Sequence, residues 1–324
     1  MSIEAHLAAD SVTPSGCRLT TWVLKYPRCI HSEVLTHRAF SRNSASSRAI
    51  PVSRMIQRVV DEPFIPHWWG KSQPGMQASE EVDEATQVQA RALWLQARDR
   101  VLALVRGEPD SPGLEALHLH KQVINRLLEP WMHIEVVLSA TEWHNWFLLR
   151  DDLAAEPHIR ELAHAMRELY RASTPSVHEA LPHGCTLSAE EVLQASGEKD
   201  WAAYWHLPFA RLGTETKLPR SAQLAGGPGS PFQVGLLGAI KEAVAHCAWV
   251  SYLNEWRVGY TQEDVERVYA QLLSAQPVHA SPAEHVAVAC DGPHRHGNFT
   301  GWCQWRKFLP NEAGGDYTSE HRSR

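Results

Sequence analysis

No Cys-x-x-Cys pair occurs among the six cysteines, Cys17, Cys29, Cys185, Cys247, Cys290 and Cys303. Cysteines scattered in this way fit reduced thiols better than a disulfide framework, and no redox role is indicated. Long apolar runs are missing too, since none approaches the ~20 residues that a membrane span needs. The first residues, Met1-Ser2-Ile3-Glu4-Ala5-His6, lack the basic stretch followed by an apolar one that marks a signal peptide. Together these absences predict a cytoplasmic chain with no membrane partner. Positive charge is not in excess either. Lys+Arg 31 against Asp+Glu 37 gives a net charge of -6, which disfavours a general nucleic-acid binder and leaves room for a small anionic ligand.

What the 324 residues do contain is core material: 44% are hydrophobic, and 13 are Trp. A domain usually holds roughly 100–200 residues, so the length allows two domains or one large one carrying insertions. The first 13 residues are polar and are expected to be flexible. Leu19-Thr20-Thr21-Trp22-Val23-Leu24 is β-branched and aromatic and ends at Tyr26-Pro27, so it predicts a strand. A short helix over 28–38 is expected from Ile30, Val34 and Leu35, followed by a polar stretch 41–48 with little reason to be buried. Residues 63–77 have the composition of a loop with aromatic anchors.

Helical spacing then recurs. Leu93, Ala97, Val101 and Leu104 share a face of a helix over 82–106, Leu117 to Leu128 suggests another, and Ile159, Leu162, Met166 and Leu169 mark a third over 157–171. Residues 172–235 are rich in Gly and Pro, with a capping box at Ser188 and Glu191, and read as an insertion or lid. Helices over 236–249 and from the cap Thr261 to Leu273 follow, then the extended-looking His285-Val286-Ala287-Val288-Ala289. Residues 311–324 are polar and expected to be a flexible tail.

The strongest local feature is Thr36-His37-Arg38-Ala39-Phe40-Ser41-Arg42-Asn43-Ser44-Ala45-Ser46-Ser47-Arg48. Its arginines and hydroxyls supply charge-assisted donors suited to phosphate oxygens. A solvated basic loop is the other reading of the same composition.

This segment resembles the signature of the flavin-dependent thymidylate synthases, Arg-His-Arg, Ser-x-Asn and Ser-x-Arg: His37, Arg38, Ser41, Asn43, Ser46 and Arg48 stand at the matching positions. Asn125-Arg126-Leu127-Leu128-Glu129-Pro130 is similar to that family's Arg-x-x-x-Pro element, and Ser139 to Arg150 is similar to the helix that ends in its catalytic arginine. Segments at 250–252, 261–273 and 279–285 look like the part that usually opens the family's chains, which implies a permuted, divergent branch. The resemblance implies an α+β fold with a small antiparallel sheet wrapped by helices. It also implies a single catalytic domain over 14–310, into which 172–235 is inserted, and a homotetramer with shared active sites.

The activity implied by the resemblance is reductive methylation of dUMP to dTMP. FAD would be the cofactor, with methylenetetrahydrofolate and NADPH as co-substrates. Arg150 would be catalytic, favouring the ionised pyrimidine. Arg48 and Arg126, with Ser44, Ser46 and Ser47, would hold the nucleotide phosphate, and Glu33 would lie close to the nucleotide. His37, Arg38, Ser44, Ser139, Thr141 and Asn145 would face FAD. The chain departs from the family at Thr36, which replaces the first Arg, at Ser44, which replaces Glu, at Ala49, where Tyr is common, and at Glu33, where Gln is frequent. A carboxylate near a phosphate is repulsive, so Glu33 would meet a sugar hydroxyl, pair with an arginine such as Arg28, or signal a different nucleotide. These departures keep open another pyrimidine nucleotide (UMP, dCMP), a hydroxymethyl product, and a non-catalytic nucleotide-binding homologue. Cys290, His294, His296 and Cys303 are four potential zinc ligands, but their spacing matches no standard zinc module, so no metal is expected.

Overall fold

The computed structural model describes residues 3–197, 201–209, 235–252, 260–275 and 278–310. Its frame is a five-stranded sheet in the order β3-β6-β2-β1-β7, built from β1 (Glu4–Val12), β2 (Arg18–Pro27), β3 (Ser41–Ser44), β6 (His133–Ala140) and β7 (Ser176–Val177). Two further short strands, β4 (Gly107–Glu108) and β5 (Ser111–Pro112), form a separate hairpin. The large sheet is antiparallel except at its edge, where β7 runs parallel to β1.

Strand β2 is buried along nearly its whole length because both faces of the sheet are covered. On one face Trp22, Leu24 and Tyr26 join Ile134, Val136 and Leu138 of β6 in the main core. The helices lining that core are α1 (His31–Val34), α2 (Val52–Asp61), α3 (Glu84–Arg106), α4 (Lys121–Ile124), α5 (His144–Arg150) and α6 (Pro157–Ala172). On the other face Val23 and Val137 pack on Cys247 and Val250. These belong to a second lobe made of α7 (Ala189–Ala195), α8 (Leu236–Trp249), α9 (Gln262–Ser274) and a three-stranded sheet, β12-β9-β8, of β8 (Trp205–His206), β9 (Ala287–Ala289) and β12 (Trp302–Gln304). A small hairpin of β10 (Arg295–His296) and β11 (Phe299–Thr300) lies between β9 and β12 in the chain. The architecture is α+β. No described helix is long and apolar enough to cross a membrane.

Several expectations change. Residues 4–12, expected to be flexible, are strand β1, paired with β2 from Glu4↔Lys25 to Val12↔Arg18. Its Ala, Asp and Ser residues have low strand propensity, so the strand depends on the ladder and on Arg18, whose Nε and Nη2 donate to Asp10 at 2.9 and 2.6 Å. The polar stretch 41–48 is not a surface loop. Ser41 and Asn43 are buried in β3, where the Asn43 side chain donates to the Cys247 carbonyl at 3.2 Å and the Gln304 amide donates to Ser41 Oγ at 2.9 Å. The second lobe covers this strand and satisfies its polar groups, which local composition cannot show.

The helix over 84–106 buries Leu102 and Val105 and rests Trp94 and Val101 against the core, while Leu93 and Leu104 are each 64% exposed. Its expected face was wrong because only Trp94 and the last turns meet the body of the protein. The helix stops at Gly107, whose φ of +90° suits glycine. The expected helix over 117–128 is broken into α4 and a 3-10 segment, Asn125–Trp131, that contains Pro130. The α6 face is as expected at Ile159, Leu162 and Met166, and Glu156 caps it by accepting from the backbone of His158 and Ile159.

The described part of 172–235 is built into the second lobe, with Leu181, Val192, Trp205 and Leu207 in its core. Residues 210–234 of that stretch lie outside the described residues, as does the expected tail 311–324. Cys185 and Cys290, read as free thiols, form a disulfide across 105 residues of sequence. The bridge Leu181↔Cys290 brings the two together, a pairing no local spacing reveals.

A buried polar chain joins the lobes. Thr21 Oγ1 lies 2.6 Å from Ser139 Oγ and 2.8 Å from His206 Nε2. The ring continues to Ser11 through His206 Nδ1 at 2.8 Å, and Ser139 Oγ is 2.8 Å from His285 Nδ1. Burial pushes His285 down to about 3, and His206 is driven well below its ordinary value by burial, then by His178 and His285. Unfolded histidine titrates near ~6.5, so between those limits the unfolded chain binds more protons than the folded one. The stability these rings contribute is complete above that value and is lost as pH falls. We expect the urea-unfolding free energy to drop by up to about 1.4 kcal/mol per pH unit for each ring between roughly pH 6 and 4. A flat profile over that range would contradict two neutral buried histidines.

Candidate functional site

The segment leaving β3 is held in place before it can present anything. The Ala45 N–H donates to the Glu135 carbonyl at 2.9 Å and the Ser46 N–H to the Ser251 carbonyl at 3.0 Å. A turn closes on the Ser46 carbonyl, which accepts from the Ala49 N–H at 2.9 Å. Asn125, fully buried, donates its side-chain amide to the carbonyls of Ser47 and Ile50 at 2.7 and 2.9 Å, and Lys121 Nζ donates to the Ala49 carbonyl at 2.7 Å. The loop is thereby tied to the segment that carries Arg126.

Beside it lies a cavity of about 360 Å³ lined by Arg28, His31, Ser44, Ala45, Ser46, Ser47, Arg48, Arg126, Glu129 and Ile134. Arg28 pairs with Glu129 at 3.0 Å. Among the described residues, Arg48 and Arg126 have no carboxylate partner. The His31 ring is pushed down to about 4 by burial and then by Arg28 and Arg42, so it adds no charge at neutral pH. Two uncompensated guanidiniums and three serine hydroxyls make this a site for a multiply charged oxyanion. Ser44, Ser46, Ser47, Arg48 and Arg126 are thus brought together. Arg28, His31 and Glu129 were not expected at the site. The Arg28 and His31 pair, three residues apart in an expected helix, was a usable signal, whereas nothing local marks Glu129.

Arg150 belongs to a second cluster. Helix α5 buries Trp146, and Trp143 just before it donates Nε1–H to the Ala140 carbonyl at 3.0 Å. These tryptophans anchor the helix, and Arg150, four residues beyond Trp146, follows on the same side. Its guanidinium donates from Nε to His37 Nε2 at 3.1 Å, from Nη1 to Glu33 Oε2 at 2.8 Å and from Nη2 to Thr36 Oγ1 at 3.2 Å. His37 is buried between Phe40, stacked at 5.4 Å, and the edge of Trp146 at 4.9 Å. Burial, then the Arg150 charge, pushes its ring down to about 4, so a neutral imidazole accepts at Nε2. Arg38 and Asn145 are exposed nearby in sequence to this cluster.

The remaining expected contacts sit elsewhere. Ser139 is fully buried in the polar chain between the lobes and presents no surface to a ligand in this chain. Thr141 Oγ1 accepts from the Thr300 N–H at 3.0 Å. Both are used inside the chain because Ser139 lies within β6 and Thr141 directly follows it, where the resemblance suggested a helix. Glu33 pairs with Arg150, not with Arg28. Of the four residues weighed as zinc ligands, Cys290 is bonded to Cys185, and no group of three or more His, Cys, Asp or Glu among the described residues is placed to hold a metal.

No protein-family model matches the chain, and no curated protein matches its sequence. Solved structures are similar at low identity. Two are of the flavin-dependent thymidylate synthase ThyX from Helicobacter pylori with FAD and dUMP, each 14% identical with a TM-score of 0.33, covering 47% of this chain. The chain spans 66% of the first of these and 67% of the second. A UMP/dUMP methylase, PolB from Streptomyces cacaoi, bound with 5-Br UMP, is 12% identical with a TM-score of 0.42, over 52% of this chain and 89% of that one.

A charge-assisted contact to phosphate contributes about 1.5–3 kcal/mol. Arg48→Ala or Arg126→Ala should therefore weaken binding of a phosphate monoester by roughly 10- to 100-fold in titration calorimetry, with a shallower salt dependence. Equal affinity in wild type and both variants would remove the cavity as an anion site.

Proposed function

We propose that the protein is a flavin-dependent methylase of a pyrimidine nucleotide, converting dUMP to dTMP. Methylenetetrahydrofolate would be the carbon donor and NADPH the reductant. The observation that carries this reading is the cavity in which Ser46 and Arg48, from the Ser-x-Arg element, meet Arg126, from the Arg-x-x-x-Pro element, with no carboxylate among the described residues on either arginine. Two separately matched motifs meet in one anion pocket.

In this reading the cavity fixes the nucleotide by its phosphate. Glu129 holds Arg28 on one wall, and the serine hydroxyls and the two open arginines face the oxygens. Arg150 supplies a fixed cation for negative charge developing on the pyrimidine, an interaction strengthened where water is excluded. His37, neutral and packed between aromatic rings, orients that guanidinium by accepting from Nε. Arg150 is not among the cavity's lining residues. A homotetramer in which one subunit brings the phosphate pocket and another brings Arg150 fits this separation.

The exposed donors Arg38 and Asn145 have the chemistry to hold the diphosphate and ring edge of FAD. Ser139 and Thr141, engaged within the chain, do not serve that role. Bound FAD would supply the hydride that completes the methyl group.

The test is direct. Protein reconstituted with FAD should show flavin absorbance. With methylenetetrahydrofolate and NADPH it should turn over dUMP, and mass spectrometry should identify dTMP. Arg150→Ala should lower kcat by roughly 10²–10³, in line with the loss of a charge-stabilising donor. Parallel assays with UMP and dCMP decide the nucleotide. No flavin uptake, and no product from any of the three, would overturn the proposal.

A further inference from the structure

Arg150 has every nitrogen committed inside its own chain. Nε is on His37, Nη1 on Glu33 and Nη2 on Thr36, and each partner is an acceptor. Three of the four residues over 33–37 other than buried Val34 are thus aimed at a single guanidinium that arrives from α5. The partners are not equivalent. His37 is buried and pinned between Phe40 and Trp146, so its contact is part of the core. The Glu33 side chain is 38% exposed and that of Arg150 20%, so their ion pair lies where water can replace it.

We propose that Glu33 is a displaceable latch on Arg150: it holds the guanidinium neutralised and oriented in the free protein, and the incoming pyrimidine must take its place. This rests on the reading that Arg150 meets the pyrimidine. The physical case is one of competition. A guanidinium only donates, and of its five N–H groups three are engaged, one on each nitrogen, while its charge is met by the Glu33 carboxylate. An ionised ring nitrogen or a carbonyl oxygen gaining negative charge is repelled by that carboxylate on the same guanidinium, so the base takes the full cation only when the carboxylate leaves. A half-exposed pair is weak, so the latch costs little to open. It still lowers nucleotide affinity by the strength of the pair, and it keeps an open cation from capturing unrelated anions. His37 stays in contact throughout and preserves the orientation of Nε while Nη1 changes partner. Glu33 is accordingly a positioning residue and a competitor, with no part in bond making.

The experiment is a binding comparison on the full FAD-reconstituted protein, with dUMP and ribose 5-phosphate as probes. Ribose 5-phosphate reaches the phosphate cavity but carries no base. Glu33→Gln keeps shape and removes charge. It should tighten dUMP roughly two- to fivefold, the factor expected for a partly exposed ion pair. It should leave ribose 5-phosphate unchanged. In an Arg150→Ala background the same Glu33→Gln change should have no effect on dUMP, since the pair it relieves is already gone. Thermal unfolding of each variant establishes that it is folded.

If wild type binds dUMP more tightly than ribose 5-phosphate, yet Glu33→Gln weakens dUMP or leaves it unchanged, the latch is wrong and the nucleotide reading stands. A Glu33→Gln gain that persists without Arg150 also overturns it. If wild type binds the two probes equally, Arg150 does not hold the base, and the nucleotide reading falls together with the latch.

Discussion

Both halves of the candidate site hang from one hydrogen-bonded ladder, that of β6. On one side β6 pairs with β2 from Thr20↔Ala140 to Pro27↔His133, and on the other it pairs with β3 from Ser41↔Ser139 to Ser44↔Val136. The second pairing delivers the chain into the loop that lines the cavity, and the end of β6 leads into the turn before α5 and Arg150. A slip of one residue would exchange the faces of β6. Ser139 would then point into the Trp22 and Leu24 core, and Val136 and Leu138 would face the histidines. A buried hydroxyl without a partner costs about 1–3 kcal/mol, so the polar chain fixes the register as firmly as the apolar side does.

The parts of this arrangement that were legible in the sequence were those decided locally. Helices α8 and α9 lie where periodicity and the Thr261 cap place them, and the Ser188 capping box opens α7 with both of its hydrogen bonds made. The hydroxyls of 44–47 and Arg48 were readable as candidate oxyanion donors from their chemistry, whereas Arg126 was reached only through the resemblance of its segment to the Arg-x-x-x-Pro element. Strand β6 also carries a signal in Ile134, Val136 and Val137, but the aromatic residues that follow pull the local pattern toward a helix. The rest depends on contacts between distant segments. Strand β1 exists because β2 offers it a ladder, and β3 is buried because residues more than 200 positions later cover it. Cys185 and Cys290 meet only because the bridge Leu181↔Cys290 sets the turn after Leu181 against the end of β9.

Net charge was a poor guide to the ligand. The chain carries -6 overall, yet the cavity beside the 44–48 loop is lined by three arginines against one carboxylate. Electrostatic attraction at such a distance is set by nearby charges, since ions in solution screen the remainder within ~10 Å. The same locality makes Arg150 differ from Arg48 and Arg126. All three are cations on the matched motifs, but among the described residues only Arg150 is met by a carboxylate, a neutral imidazole and a hydroxyl in its own chain.

The histidine and hydroxyl chain running from Ser11 through His206, Thr21 and Ser139 to His285 has a consequence for how the molecule opens. It draws on β1, β2 and β6 from the frame and on β8 and the segment before β9 from the second lobe. Parting the lobes would strand polar groups on both surfaces at once, so neither can loosen by degrees. Such a coupling makes the backbone amides of β2 and β9 expected to exchange with solvent through one shared event, the lobes opening as a single cooperative unit.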